Sequence, residues 1–288
     1  MLIPEDARHT TFMATHFVRF APSPTGDLHL GHAYSALYAW HKSGQSAERF
    51  HLRIDDLDHT RCRELFIKSQ IEDLRWLGIS WQAEPLLQSQ RLHRYQDALS
   101  YLKDKHLLYP CYLSRREVDA ILSAPQEAGD LKHALSDEEM QDRQDKGTEP
   151  AWRIDMAICQ KTLPQLTWFD AQKGPQNVNL HKLSDVIIAR RDIGASYDLS
   201  VVLDDFDTGI SLVTRGEDLF QQTHLHRLLQ HLLGLPSPLY DHHKLITDDQ
   251  GKRLAKRDDA RSIHSYRMSG KSADMIKTML MEKMSFFS

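Results

Sequence analysis

Apolar positions along the 288 residues fall into two alternating stretches separated by a charged interval. Phe17-Val18-Arg19-Phe20 reads as a short strand. It runs into Ala21-Pro22-Ser23-Pro24-Thr25-Gly26, where two prolines and a glycine forbid a regular element. Small and apolar residues then recur at helical spacing from His32 to His41, giving strand, loop, helix. Glu48 to Ile54 reads as a second strand ending in Asp55, Asp56 and Asp58. Residues 64–77 are predicted helical, with Leu65, Ile71, Leu74 and Leu77 on one buried face and Gly78 as the stop; 91–107 gives another helix. This alternation implies βαβ units and a parallel sheet. Between about Cys111 and Pro150 it breaks: charged helix-prone pieces (SRREVDAIL, SDEEMQDRQDK) flank a turn-rich patch around Pro125 and Gly129, as in an insertion. A second alternating section carries apolar runs at Asp185–Ala189, Asp198–Leu203 and Ile210–Val213, then a helix from about Leu219 to Leu233, closed by Gly234 and Pro236.

Composition narrows the class. The chain is long enough for a sizeable core, and its 41% hydrophobic and 26% charged residues suit a globular fold. No apolar run approaches the ~20 residues that span a bilayer. The N-terminal MLIPEDARHTTFMATHF lacks the basic start and apolar stretch of a secretory signal. Three cysteines, Cys62, Cys111 and Cys159, are odd in number and widely spaced, which argues for a reducing cytoplasm and against a disulfide framework. Cys62 and Cys159 read as buried structural residues. A net charge of −4 exerts no overall pull on nucleic acid, but Lys252, Arg253, Lys256 and Arg257 form one local basic run.

Two segments carry candidate chemistry. In Arg19–His32 (RFAPSPTGDLHLGH), a loop leaves a strand and opens a helix, the place where nucleotides bind in parallel sheets. The helix N-terminus presents free N–H groups and partial positive charge to phosphate. His29 and His32 can reach such phosphates, and Gly31 leaves the backbone open to an adenine or ribose. Alone, the pair reads equally as surface histidines in a chain that has 17 of them. The second segment, Gly251–Arg257 (GKRLAKR), suits a mobile loop that covers β and γ phosphates, or equally a solvated basic loop.

Taken in order, RFAPSPTG, HLGH, LRIDDLD, VTRGEDLF and RLAKR resemble the glutamyl and glutaminyl branch of the class I aminoacyl-tRNA synthetases, from about Phe17 to Arg261. Only Ser262 to Ser288 follow the basic motif, too few residues for an anticodon-reading domain. In this the chain resembles the truncated bacterial glutamyl-queuosine synthetases, and HLGHAYSAL, DLDHTRC and GKRLAKRDDA are similar to their alphaproteobacterial members. The resemblance implies a Rossmann-like, doubly wound α/β sheet with a helical insertion and a short C-terminal segment. It divides the chain into a first half of the nucleotide-binding domain (1–108), an insertion (109–165), a second half (166–240), and a basic loop with C-terminal segment (241–288). The activity implied is formation of glutamyl-adenylate from L-glutamate and ATP with Mg²⁺, followed by glutamyl transfer to queuosine in the anticodon of aspartate tRNA. A cytoplasmic monomer with no membrane partner is expected.

By matching position, the resemblance assigns Arg19, Ala21 and Ser23 to the glutamate pocket and Asp55 to the substrate ammonium, with Tyr197 and Arg215 on the opposite wall. Two arginines suit a substrate with two carboxylates, and an amide in place of one would leave a guanidinium poorly paired. Pro22, His29, Gly31, His32, Arg253 and Lys256 are assigned to ATP, with His29, His32 and Lys256 as the catalytic set. Three departures stand out. The family usually has glutamate at Asp55, lysine at Arg253 and serine at Ala255. Its insertion commonly holds zinc through a Cys-x-Cys pair, whereas Cys111 is followed by Tyr112 and Leu113 and by no cysteine before Cys159. Asp130 and His133 do not supply the missing spacing, so zinc is not expected. Competing readings are a stand-alone glutamate-activating enzyme charging a tRNA 3′ end or another acceptor such as a protein, a degenerate synthetase kept as a binding module, and a nucleotidyltransferase of related fold.

Overall fold

The computed structural model describes residues 16–123, 131–246 and 262–282. Val18–Phe20 (β1) pairs in parallel with the later strand Phe50–Ile54 (β2), Val18 opposite Phe50, and the helix Leu30–Lys42 (α1) makes the crossover. Glu64–Trp76 (α2) leads to Leu86–Leu87 (β3), parallel to β2, and Leu92–Asp104 (α3) follows. Leu108–Cys111 (β4) then enters the interval where alternation breaks.

That interval holds helices Arg115–Leu122 (α4) and Asp137–Asp145 (α5). Each opens with a Ser-x-x-Glu capping box, Ser114 with Glu117 and Ser136 with Glu139, which satisfies first-turn N–H groups and lets such polar sequences start a helix. Ala151–Ile154 (β5) returns antiparallel to β4. Met156–Thr162 (α6), then the hairpin of Thr167–Asp170 (β6) and Gly174–Asn177 (β7), lead to Ile187–Ala189 (β8). β8 pairs antiparallel with β5, so this sheet takes its third strand from beyond the span 109–165 read as an insertion.

Tyr197–Asp207 (α7), Leu212–Gly216 (β9), Gln222–Leu232 (α8) and Leu239–His243 (β10) complete the second half. β10 lies between β9 and β6, parallel to both. The backbone N–H groups of Ser211 and Leu212 donate to the Phe17 carbonyl at 3.0 and 3.1 Å, which sets β9 edge to edge with β1. Since β2 flanks β1 on one side and β10 flanks β9 on the other, strand order reverses between them. That reversal opens a crevice at the carboxyl ends of the two strands.

Helices cover both faces. On one, Ala33, Leu37 and Leu74 pack over β1 and β2, joined by Ile276 and Leu280 from Ala273–Met281 (here α10, after Ile263–Met268, α9). On the other, Leu99 and Leu102 of α3 meet Leu199 and Val202 of α7 and Leu228 of α8. This is the doubly wound arrangement expected. The run Asp198–Leu203 is helical despite its valines: Ser196 caps it, accepting from Leu199 N at 3.2 Å, and Leu199, Val202 and Leu203 recur at i, i+3, i+4. Leu65 departs from expectation and is 63% exposed. The buried stripe of α2 runs through Gln70 and Leu74, with Ile67 and Ile71 beside it, and Leu65 sits about 200° around the helix from Ile67. Cys159 is buried, whereas Cys62, on the loop after β2, is only partly covered. Among the described residues no helix is long and apolar enough to cross a membrane.

The C-terminal helices are integral to this packing. Arg267 of α9 reaches Asp73 and Glu72 of α2 at 3.1 and 2.9 Å. Leu280, eight residues before the last residue of the sequence, is 1% exposed. Replacing it (Leu280→Ala) is expected to cost about 2–5 kcal/mol in a urea titration; a near-neutral result would show α10 to be dispensable for the core.

Candidate active site

The crevice between β1 and β9 is a cleft of about 500 Å³. Its floor begins at α1, whose N-cap is a histidine. His29 Nδ1 accepts from Gly31 N at 3.0 Å and His32 N at 3.3 Å, while His32 Nδ1 accepts from His29 N at 3.3 Å. Two imidazoles thus form a reciprocal capping box, with their rings stacked 3.7 Å apart. An Nδ1 that accepts cannot carry the proton, so the neutral rings hold it on Nε2, a donor on the side away from the backbone. The cap also explains why the helix begins at Leu30 rather than His32: histidine is not a usual cap residue, and propensity alone does not announce it.

Asp55 and Arg19 belong to a buried ionic network. Arg53, next to last in β2, donates from Nε to Asp55 Oδ1 at 2.7 Å and from Nη1 to Asp205 Oδ1 at 2.6 Å. The same Asp205 oxygen accepts from Arg19 Nε at 2.9 Å, and Arg19 Nη1 donates to the Thr214 carbonyl at 3.1 Å. Burial works against charge on Asp205, but Arg19 and Arg53 outweigh it and hold the carboxyl below the usual carboxylate range. Burial dominates at Asp55, which is pushed up in spite of Arg53. Asp55 N also donates to the Pro22 carbonyl at 3.0 Å, pinning the Ala21–Gly26 loop to the end of β2.

Arg215, near the end of β9, forms the opposite wall and is 6% exposed. Its Nε donates to His242 Nε2 and its Nη1 to His226 Nδ1, both at 3.2 Å, and its Nη2 donates to Thr223 Oγ1. Among the described residues no carboxylate pairs with it. Burial accordingly lowers the guanidinium from its usual value. Tyr197, the first residue of α7, lines the cleft on the same side.

Arg19, Ala21, Pro22, Ser23, His29, Gly31, His32, Asp55, Tyr197 and Arg215 all line this one cleft. Arg253 and Lys256, with Ala255, lie outside the described residues. The positions that flank that span do reach the cleft: Ile246 lines it, and Ser262 forms a β-bridge with His29. Sequence reading gave no part to Arg53, although it sits in the LRIDDLD segment, nor to Asp205, Thr223, His226 and His242. Their one local signal was an acidic pair, Asp204-Asp205, in an otherwise apolar helix. In the insertion, Cys111 is buried against Tyr109, Leu113, Val118 and Leu131, His133 is exposed, and Asp130 lies outside the described residues. Among the described residues no three His, Cys, Asp or Glu side chains stand close enough to hold a metal ion.

Residues 16–285 match the family model described as tRNA synthetases class I (E and Q), catalytic domain. The chain is 43% identical over 278 residues to a glutamyl-Q tRNA(Asp) synthetase of Rhodobacter capsulatus, covering 91% of this chain and 98% of that protein. It is 36% identical to a glutamate–tRNA ligase of a Synechococcus strain, over 91% of this chain but 56% of the ligase, so it spans about half of that relative. A crystal structure of a glutamate tRNA ligase from Elizabethkingia meningosepticum, in complex with its amino acid, superposes with a TM-score of 0.76 at 26% identity, covering 93% of this chain and 60% of the other.

Two outcomes follow from this geometry. Asp205→Asn is expected to destabilise the fold at pH 7 by about 3–5 kcal/mol, because Arg19 and Arg53 lose their shared anion. Asp205 has a depressed carboxyl, so its contribution is present above the unfolded value near 4 and disappears as pH falls through the lower folded value. Denaturant titrations of both proteins should therefore draw together as pH falls below about 4; a penalty unchanged at low pH would count against the network. At Gly216 an added Cβ would meet Asp218 Oδ1 at 2.5 Å and Leu245 Cδ2 at 2.8 Å. Both atoms end flexible side chains that can turn aside, so Gly216→Ala should fold normally and change glutamate binding in calorimetry by less than about threefold, as a change within about 0.5 kcal/mol would.

Proposed function

The chain belongs to the family of class I tRNA synthetase catalytic domains for glutamate and glutamine, and from that membership we propose that it activates L-glutamate with ATP, without tRNA, and passes the glutamyl group to queuosine in the anticodon of aspartate tRNA. The observation that carries this reading is the likeness to the Rhodobacter capsulatus protein, which runs through nearly the whole of that relative.

The cleft supports the chemistry of this reading. An oxygen of the glutamate α-carboxylate attacks the α-phosphorus of ATP, the bond to the bridging oxygen breaks, and pyrophosphate leaves with the electron pair. Little acid–base work is needed, so alignment and electrostatics carry the rate. Arg215, which pairs with no carboxylate among the described residues, offers its charge to a glutamate carboxylate. Asp55 and Tyr197 face the amino acid from either side, and Arg19 and the Ala21–Ser23 backbone close the pocket. Asp55 shares one oxygen with Arg53, which leaves the other for the ammonium. The Nε2 donors of His29 and His32, at the positive end of α1, stabilise the phosphates, and Gly31 lets the nucleotide approach the helix. Arg253 and Lys256 are assigned to the departing β and γ phosphates. Mg²⁺ would balance charge on the phosphates of the nucleotide. In the second half-reaction a hydroxyl oxygen of the queuosine cyclopentene-diol attacks the acyl carbon, forming an ester as AMP departs. The reading places the protein in the cytoplasm.

Glutamate-dependent exchange of pyrophosphate into ATP tests the first step, with aspartate tRNA as acceptor for the second. Exchange without tRNA, followed by labelling only of queuosine-containing tRNA, is the expected result. Labelling of a tRNA 3′ end would redirect the acceptor, and ligand binding without exchange would leave a binding module.

A further inference from the structure

The two cleft arginines are held in opposite ways. Arg19 makes direct contact with a carboxylate, Asp205, at 2.9 Å. Among the described residues Arg215 touches no acid: three neutral acceptors surround its inner edge, two of them imidazole nitrogens. Each ring is in turn backed by an aspartate. His226 Nε2 meets Asp198 Oδ1 at 2.9 Å, and His242 Nδ1 meets Asp170 Oδ2 at 2.6 Å. Both aspartates are fixed in place. Asp198 accepts from Gln222 Nε2 at 2.6 Å, and Asp170 accepts from the backbone of Gln172 and Lys173 at 3.0 and 2.8 Å. The five groups come from β6, α7, α8 and β10, and the two histidines are each 3% exposed.

The tautomers follow from this arrangement. A guanidinium can only donate, so His226 Nδ1 and His242 Nε2 must accept. Each ring then carries its proton on the other nitrogen and gives it to its aspartate. A protonated ring would turn an N–H against the guanidinium. Burial opposes that and lowers both histidines, against the pull of Asp198 and Asp170 and with help from Arg215. The other charged groups acting on the pair are Asp205 at His226 and Lys173 at His242. The negative charge that balances Arg215 is thereby kept one ring away, where it orients without pairing.

We infer that the Asp198–His226 and Asp170–His242 pairs are positioning residues that hold Arg215 by neutral acceptors, so that its charge is left for a substrate carboxylate and an uncharged amide is refused. The inference rests on the glutamate reading above and gives it a structural cause. An aspartate or glutamate in direct contact with Arg215 would fix the guanidinium equally well but would neutralise it. The device therefore separates two tasks that one carboxylate would merge, holding the group and keeping it hungry for an anion.

The test uses the full-length protein, with glutamate and glutamine as ligands, in calorimetric binding and in pyrophosphate exchange. His226→Leu removes one acceptor and should raise KM and Kd for glutamate about tenfold or more while kcat changes less than about threefold. His226→Gln, whose amide oxygen can accept from Arg215 while its nitrogen donates to Asp198, should recover most of that loss. His226→Glu keeps an acceptor but places an anion on Arg215; it should weaken glutamate at least as much as the leucine variant and narrow the preference for glutamate over glutamine. Asp198→Ala, at a more accessible position, should raise the glutamate KM severalfold and serves if the core variants unfold. A merely structural role would lower kcat or folded fraction in all variants alike, without rescue by glutamine and without a change in glutamate preference; that pattern overturns the inference. Wild-type protein that binds glutamate but does not exchange would defeat the activity while leaving the clamp open to the binding measurements. Wild-type protein that binds no glutamate would overturn both.

Discussion

The interior of this molecule is organised around one buried guanidinium. Arg53 lies in the middle strand of the first sheet, where a charge has no access to water, and so must be matched by acids brought from elsewhere. Asp55 comes from two residues along, and Asp205 from a helix more than 150 residues later. Because Asp205 is shared with Arg19 of the neighbouring strand, a single carboxylate joins β1, β2 and α7. Asp204, beside it, is bound by Arg91, Tyr95 and Gln88, which extends the tie to α3 and the turn before it. The two halves of the chain are thus locked by charge at the place where the strand order reverses and the cleft opens.

That lock also fixes what the cleft can do. Arg19 and Arg53 pair with carboxylates inside the protein, whereas Arg215 pairs with none among the described residues. Two arginines in one pocket suggest two equal partners for a substrate with two carboxylates. The structure makes them unequal, one already paired and one held by neutral rings. The same economy appears at the cleft's other end, where His29 and His32 cap their own helix through Nδ1 and turn Nε2 outward. In both places a histidine's two nitrogens divide structural and chemical tasks, and the tautomer follows from the structural one.

The C-terminal segment is part of this frame. Ser262 pairs with His29, Arg267 reaches α2, and Ile276 and Leu280 enter the core above α1. The segment following the basic run is therefore anchored beside the helix whose N-terminus faces the cleft.

Much of the fold was legible without coordinates, because it is written in local terms. The strand-loop-helix order, the helix at 64–77 to within a residue, and the parallel crossovers follow from apolar spacing and from glycine and proline, which act on their immediate neighbours. The ten cleft-lining residues were named through the family resemblance, which matches them position by position in short segments: β1 and the loop after it, the start of α1, the end of β2, the start of α7 and the end of β9. Local spacing fails at Leu65, which lies off the buried stripe of α2, and at Cys62, which lies at the rim and is only partly covered. What only the tertiary structure decided is pairing across distance: that Asp205 rather than a nearer acid balances Arg19 and Arg53, and that Arg215 rests on His226, His242 and Thr223. A buried charge takes whichever partner the packing of strands and helices brings within hydrogen-bond reach, and no local pattern along the chain encodes that choice.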